Sequence, residues 1–197
     1  MTMADKSAHK AKVRARILDE AAIALRSGGT EGLSVANLMK RAGLTHGGFY
    51  AHFENRDDLV AHAVDRMFED SRAMLERFLG DRPDLGGLID HYLSEAAMRR
   101  HDLGCPLPWL AGEAPRMPEP ARLRFQAGIS AMRDAIAGAL VRSGHPKPEA
   151  DALAASIVAE MVGAMTLARA QGEGEEAVAT LQAARAALHA RVALRPH

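Results

Sequence analysis

A short stretch in the first third of the chain collects side chains that can donate hydrogen bonds to phosphate oxygens. In chain order these are Thr45, His46, Tyr50, His52 and Arg56. Two glycines lie among them, Gly47 and Gly48, and each costs about 1 kcal/mol relative to alanine inside a helix. That cost is reasonable if the backbone must come close to a partner. The pattern predicts that residues 45–53 form a short helix that binds DNA; the alternative is a plain loop with ordinary surface residues.

The elements around this stretch have the layout of a helix-turn-helix. Apolar residues at helical spacing predict a first helix that ends at Gly28 and Gly29, because glycine can adopt the left-handed conformation that terminates a helix. Ser34 is suited to cap a second helix that ends at Gly43, and Thr45 is suited to cap the third. In such a motif the later helix enters the major groove of DNA. The residues spaced to anchor that helix to its own domain are Phe49 and Phe53.

The remaining chain also predicts helices. Asn55 is suited to cap a fourth helix of about 24 residues, which at 1.5 Å per residue is about 36 Å long and ends before Gly80. Breakers separate five further predicted helices over residues 85–100, 107–112, 119–142, 147–170 and 175–194. We therefore predict an all-α fold. Its N-terminal three-helix domain, residues 1–55, is joined by the long helix to a larger helical bundle within residues 56–197.

Charge and cysteine content narrow the class of protein. The formal net charge of the 197 residues is zero, which argues against a chain that coats nucleic acid or membranes along its whole surface. Residues 1–56 nevertheless carry nine basic and five acidic side chains, a net charge of +4. The single cysteine, Cys105, cannot form an internal disulfide, and the N-terminus lacks the apolar run of a secretory signal. We expect a cytoplasmic protein. The alanine-rich stretch 152–168 is more typical of a buried helix than of a membrane span.

Residues 43–59, GLTHGGFYAHFENRDDL, resemble the signature of the tetracycline-repressor (TetR-like) family of bacterial transcription regulators, and the similarity is specific over residues 17–59. The resemblance implies an N-terminal DNA-binding head, a larger helical domain for effector binding and dimerisation, and repression that a small molecule relieves. It also implies phosphate contacts from Tyr50, His52 and Arg56, and base contacts from residues 45–48. The full set predicted to bind DNA is Ser34, Thr45, His46, Gly47, Gly48, Tyr50, His52 and Arg56.

The chain departs from the family pattern at two places. Arg56 stands where lysine is usual; arginine keeps the charge and adds a planar fork of donors. The pair Gly47 and Gly48 is common only in part of the family, and it leaves His46 as nearly the only side chain able to read bases.

The last two predicted helices favour a homodimer. Each carries an apolar stripe, which comprises Leu153, Ile157, Met161, Ala164 and Ala168 on one and Val178, Leu181, Leu188 and Val192 on the other. Paired with the same helices of a second subunit, they would form a four-helix interface. Two-fold symmetry would set the recognition helices about 34 to 36 Å apart and require a palindromic operator. The alternative is that both stripes face the core of their own subunit.

A candidate effector pocket is defined by large adaptable side chains in the helical domain: Met98, Cys105, Trp109, Phe125, Met132 and Met165. Core packing is an alternative explanation for each of them. Cys105 precedes Pro106, so it could lie at a helix N-terminus that favours a reactive thiolate and senses oxidants or electrophiles. A small buried hydrophobic role is the alternative for this thiol.

No motif indicates an enzyme, a metal site or a cofactor. The chain lacks a phosphate-binding glycine loop, a nucleophile elbow and histidines at metal-site spacing with cysteine or carboxylate partners. We predict a dimeric DNA-binding transcriptional regulator, a repressor released by a small molecule. The alternative function is a helical ligand-binding or protein-interaction module that does not bind DNA.

Overall fold

In a computed structural model that describes residues 3–100 and 102–193, the chain is helical and these residues contain no strand. The α-helices are α1 (Met3–Gly28), α2 (Val35–Arg41), α3 (Arg56–Leu79), α4 (Leu85–Tyr92), α5 (Glu95–Arg99), α6 (Leu107–Leu110), α7 (Glu119–Arg142), α8 (Lys147–Gln171) and α9 (Glu175–Ala193). Two 3₁₀ helices, His46–Ala51 and Ala114–Arg116, lie between α2 and α3 and between α6 and α7. The predicted all-α fold is confirmed.

Local signals define the ends of the first helices as expected. The Ser34 hydroxyl accepts a hydrogen bond from the Asn37 amide at 3.4 Å, and the Asn55 side chain accepts one from the Asp58 amide at 2.9 Å. Gly29 and Gly43 have positive φ angles, 64° and 68°. These caps and glycines fix the lengths of α1, α2 and α3 because they satisfy backbone groups that a helix end leaves unpaired.

Several predicted boundaries were wrong. The helix predicted over residues 85–100 is interrupted after Tyr92, because the Ser94 hydroxyl accepts from the Ala97 amide at 3.1 Å and starts α5. Thr45 makes no side-chain cap, and the segment after it is a 3₁₀ helix. The first helix begins about ten residues before its apolar pattern does, and Leu194, the predicted end of the last helix, lies outside the described residues.

Helix α3 connects the two parts of the molecule. It packs against both α1 and α7. The α3–α7 contact is close because Gly128 of α7 lies under the Phe68 ring, where a Cβ atom would come within 2.3 Å of the ring. Phe68 also meets Phe125 edge to face at 5.5 Å. The predicted domain boundary at residue 55 falls where α3 begins, and it stays a prediction because one continuous core extends across it.

The apolar stripes predicted to pair two subunits lie mostly inside one subunit. The buried members are Ile157, Met161, Ala164, Ala168, Leu181 and Leu188. They are enclosed because α8 packs against both α7 and α9, so these side chains cannot also form a dimer interface. By length and hydropathy alone, α8 could cross a membrane. Its packing between two neighbouring helices accounts for that hydropathy equally well.

Candidate DNA-binding surface and ligand cavity

The recognition segment, residues 45–53, is held to the molecule by two aromatic rings. Phe49 and Phe53 are each 2% exposed, and their rings stack with centroids 5.6 Å apart. The Arg14 guanidinium of α1 lies 4.9 Å from the centroid of the Phe53 ring. The predicted anchoring role of these two residues is confirmed, and it fixes which side of the segment faces outward.

The outward side presents half of the residues predicted to bind DNA. Tyr50 is 68% exposed, and Thr45, His46 and Gly47 are exposed beside it. A Cβ atom on Gly47 would meet nothing within 4 Å, and one on Gly48 would make only ordinary contacts at 3.7 Å or more. Neither glycine has a positive φ angle. Nothing within the subunit therefore requires glycine at these positions, which is compatible with a requirement that comes from a partner.

His52 lies half-buried at the end of the 3₁₀ helix, and its Nδ1 atom is buried without a hydrogen-bond partner. Burial lowers the pKa of His52, and the nearby charges of Lys10 and Arg14 lower it further. At neutral pH the imidazole is therefore neutral and has one N–H to donate.

Two of the predicted DNA-binding side chains have partners inside the subunit. Arg56 donates to the Leu33 carbonyl at 3.4 Å and to the Thr30 carbonyl, so its guanidinium contacts the loop between α1 and α2. The Ser34 hydroxyl caps α2, as described above. Sequence reasoning missed Lys10 and Arg14, which the structure places beside His52 and Phe53. Their four-residue spacing on a helix was the available signal.

A cavity of about 450 Å³ opens in the larger helical part of the molecule, which follows the recognition segment in the chain. Its wall includes Ser71 and Met74 of α3, Tyr92 of α4, Cys105, and Met165 and Arg169 of α8. Of the residues predicted to form an effector pocket, Cys105 and Met165 line this cavity. Met98 borders a separate surface depression, and Phe125 and Met132 are buried in the core. Phe125 is directed to α3 by its contact with Phe68.

The cavity wall contains buried polar side chains around Cys105. The hydroxyls of Ser71 and Tyr92 are buried beside the Cys105 thiol, with which both interact. Burial raises the pKa of Tyr92, and burial likewise raises the pKa of the neighbouring Cys105 thiol. Desolvation outweighs the stabilisation of a thiolate that was predicted from the positive end of a helix dipole, and α6, the helix that follows Cys105, has only four residues. The thiol is protonated at neutral pH.

Arg169 closes one end of the cavity. It donates to the carbonyls of Ala97 at 3.1 Å and Arg100 at 3.3 Å, at the C-terminal end of α5. Its guanidinium lies 3.9 Å from the centroid of the Trp109 ring, so Trp109 supports the wall from behind. Burial lowers the pKa of Arg169 to about 10, which leaves the side chain charged.

A buried guanidinium connects the cavity wall to α1. Arg26 is 3% exposed and donates to Asp70 of α3 at 3.1 Å. It also donates to the carbonyls of Asp102 at 3.1 Å and Gly104 at 2.9 Å. Asp70 and Gly104 both line the cavity. Arg26 therefore joins the cavity wall to α1, the helix whose Arg14 contacts the recognition segment.

A second contact joins the helical part to the loop between α1 and α2. The Glu113 carboxylate accepts from the Thr30 amide at 2.9 Å and from the Thr30 hydroxyl at 3.2 Å. The Thr30 carbonyl in turn accepts from Arg56. Glu113 was not identified from the sequence, because a lone acid in a loop gives no signal of its partner.

Two family profiles match the chain. The profile of the family described as bacterial regulatory proteins, tetR family, matches residues 17–63, and that of the LmrA/YxaF-like transcriptional regulator C-terminal domain matches residues 85–185. Comparison with curated proteins finds no match.

Solved structures with the same fold include three TetR-family regulators. The one from Chloroflexus aurantiacus is 27% identical, with 95% of this chain and 97% of that chain covered at a TM-score of 0.79. The one from Agrobacterium tumefaciens is 23% identical, with 92% of this chain and 98% of that chain covered at a TM-score of 0.76. The one from Cytophaga hutchinsonii is 20% identical, with 94% of this chain and 95% of that chain covered at a TM-score of 0.78.

The open surroundings of Gly47 give a direct test of the recognition segment. We expect Gly47→Ala to leave the free energy of unfolding unchanged or to raise it by up to about 1 kcal/mol, because alanine is the better helix former. We expect its affinity for operator DNA to fall at least about tenfold, because a methyl group would separate the backbone from the duplex. Urea unfolding and fluorescence anisotropy measure the two effects. Gly174→Ala, another open glycine, is the matched control; equal DNA affinity in both variants would contradict the assignment.

Burial of Cys105 predicts a slow thiol. With iodoacetamide at pH 7, we expect the native protein to react at least about tenfold more slowly than the urea-unfolded chain, because the raised pKa reduces the thiolate fraction. The native rate should keep rising with pH beyond the range in which the unfolded rate levels off. Mass spectrometry measures the modification. A native rate at pH 7 equal to the unfolded rate would support the alternative sensing role.

Proposed function

The chain belongs to the TetR family of bacterial transcriptional regulators, and from this premise we propose that it is a homodimeric repressor that a small molecule releases from a palindromic operator. The observation that carries the DNA-binding part is the two-sided recognition segment. Phe49 and Phe53 fix it from behind while Tyr50 and the open Gly47 face outward. The alternative, a helical module that does not bind DNA, is not favoured. We expect a cytoplasmic protein without catalytic activity.

The proposed effector site is the cavity beside Tyr92 and Cys105. Its volume of about 450 Å³ is in the range of small-molecule sites. Apolar side chains such as Met74 and Met165 would hold the body of a ligand. The buried hydroxyls of Ser71 and Tyr92 would orient an oxygen or nitrogen acceptor, since their neighbour, the Cys105 thiol, is only a weak hydrogen-bonding group.

The proposed release mechanism runs through Arg26. A ligand that moves the wall around Asp70 and Gly104 would change the contacts of Arg26 and hence the position of α1. The contact between Glu113 and Thr30 provides a parallel connection. Such a ligand shifts the equilibrium only by the difference between its affinities for the DNA-bound and released conformations.

We place the dimer interface on the outer faces of α8 and α9. The exposed residues there are mostly small: Ala155 and Ala159 on α8, and Ala179, Ala183, Ala186 and Ala190 on α9. On α9 they recur every three or four residues and thus share one face. Small side chains allow two helices to approach closely, which supports a four-helix arrangement about a two-fold axis.

The experiment that tests the proposed function is a footprint of the purified protein on the DNA flanking its own gene. We expect protection of a palindromic site, with half-sites about one helical turn apart. Affinity for that site should fall about 10²- to 10³-fold between 50 and 200 mM salt, as expected for a dimer that makes four to six phosphate contacts. Salt-independent binding, or no protected site together with no binding to duplex DNA, would contradict the proposal.

A single charge tests the interface. We expect Ala183→Glu to shift the protein from dimer to monomer in light scattering, because two carboxylates would be buried near the two-fold axis. The free energy of unfolding of the separated subunit should stay within about 0.5 kcal/mol of wild type, because Ala183 is exposed in the subunit. Ala127→Glu, at an exposed position of α7, is the control and should remain dimeric. A dimeric Ala183→Glu variant would place the interface elsewhere.

A further inference from the structure

The N-terminal part of α1 projects beyond the packed molecule. Burial begins at Ile17, and most side chains from Asp5 to Arg16 are exposed. Residues 5–16 form an exposed arm. Its cationic side chains are Lys6, Lys10, Lys12, Arg14 and Arg16, against one carboxylate, Asp5.

The cations of the arm lack counter-ions. In the part of the chain that the structure describes, none of the five forms an ion pair with a carboxylate. Lys6, Lys10 and Arg14 are spaced by four residues, so they share one face of the helix. Like charges at this spacing destabilise a helix unless an anion lies beside them.

This charged face is continuous with the recognition segment. Arg14 stacks on the Phe53 ring, and both Lys10 and Arg14 act electrostatically on His52. From Arg14 to Lys6 the face extends about 12 Å away from that point, at 1.5 Å per residue. Lys12 lies two residues from both Lys10 and Arg14, about 200° around the helix, and thus faces away.

We propose that the arm is a second DNA-binding element, in which Lys6 and Lys10 bind backbone phosphates of the duplex next to the recognition segment. The inference rests on the proposed DNA-binding function and extends the contact surface beyond residues 34–56. Duplex DNA is the partner because the charged face is continuous with the recognition segment. The cations on this face also have no carboxylate partner among the described residues, so they are available to phosphates. Lysine ammonium groups bind phosphates as point charges, so these contacts raise affinity without reading sequence.

The salt dependence of DNA affinity measures how many phosphate contacts the protein makes. The probe is a fluorescein-labelled 40-base-pair duplex of mixed sequence, titrated with the full-length protein at 25 to 150 mM salt. Each phosphate contact adds about 0.9 to the slope of log K against log salt. For the Lys6→Ala/Lys10→Ala variant we expect the slope to fall by about 2 per subunit, hence about 4 for a dimer. Affinity at the lowest salt should fall at least about tenfold.

Lys12→Ala is the matched control, since it removes the same charge two residues away on the opposite face. Lys12→Ala should change the slope of log K against log salt by less than a quarter of the change caused by Lys10→Ala. Lys10→Arg should retain the wild-type slope. Circular dichroism should show no loss of helicity or melting temperature in any variant, because these positions are exposed and alanine and arginine are good helix formers. A wild-type slope in the double variant, or equal effects of Lys10→Ala and Lys12→Ala, overturns the arm alone. Absence of salt-dependent binding by the wild-type protein overturns the proposed function with it.

Discussion

The packing of α3 against two different partners is the constraint on which the rest of the molecule depends. Its buried residues run from Leu59 to Leu79, and the helix packs against both α1 and α7. Because close-packed interiors transmit displacement rather than absorb it, neither end of α3 can move without the other. The head that carries the recognition segment and the helical part that carries the cavity are therefore connected by a rigid element.

The recognition segment illustrates how a short and intrinsically weak helix is kept in place. With two glycines and 3₁₀ geometry, residues 46–51 would not be helical in isolation. The buried rings of Phe49 and Phe53 supply the stability that the local sequence lacks. These rings occupy the inward side, so the side chains on the outward side are not needed to stabilise the fold. They are therefore available for contact with a partner.

Polar contacts that join the head to the rest of the molecule include a buried guanidinium and a half-buried carboxylate. Arg26 joins Asp70 across α1 and α3, while Glu113 holds Thr30 in the loop before α2. Breaking a buried charge pair is costly because the remaining charge is left without compensation. Such contacts favour discrete arrangements over gradual deformation, which is the property required of a molecule that alternates between bound and released states.

The sequence by itself determined the features whose interactions are local. The caps Ser34 and Asn55 and the turn at Gly43 each act within a few residues, so the helix-turn-helix and the start of α3 could be predicted. The packing partners of the apolar helix faces could not be predicted from the sequence. Ile157 and Leu181 are buried within the subunit rather than in a dimer interface. Only the tertiary structure joined Arg26 to Asp70, 44 residues apart, and Thr30 to Glu113, 83 residues apart. The cavity has the same origin, because its wall is built from separate helices whose mutual positions no local pattern records.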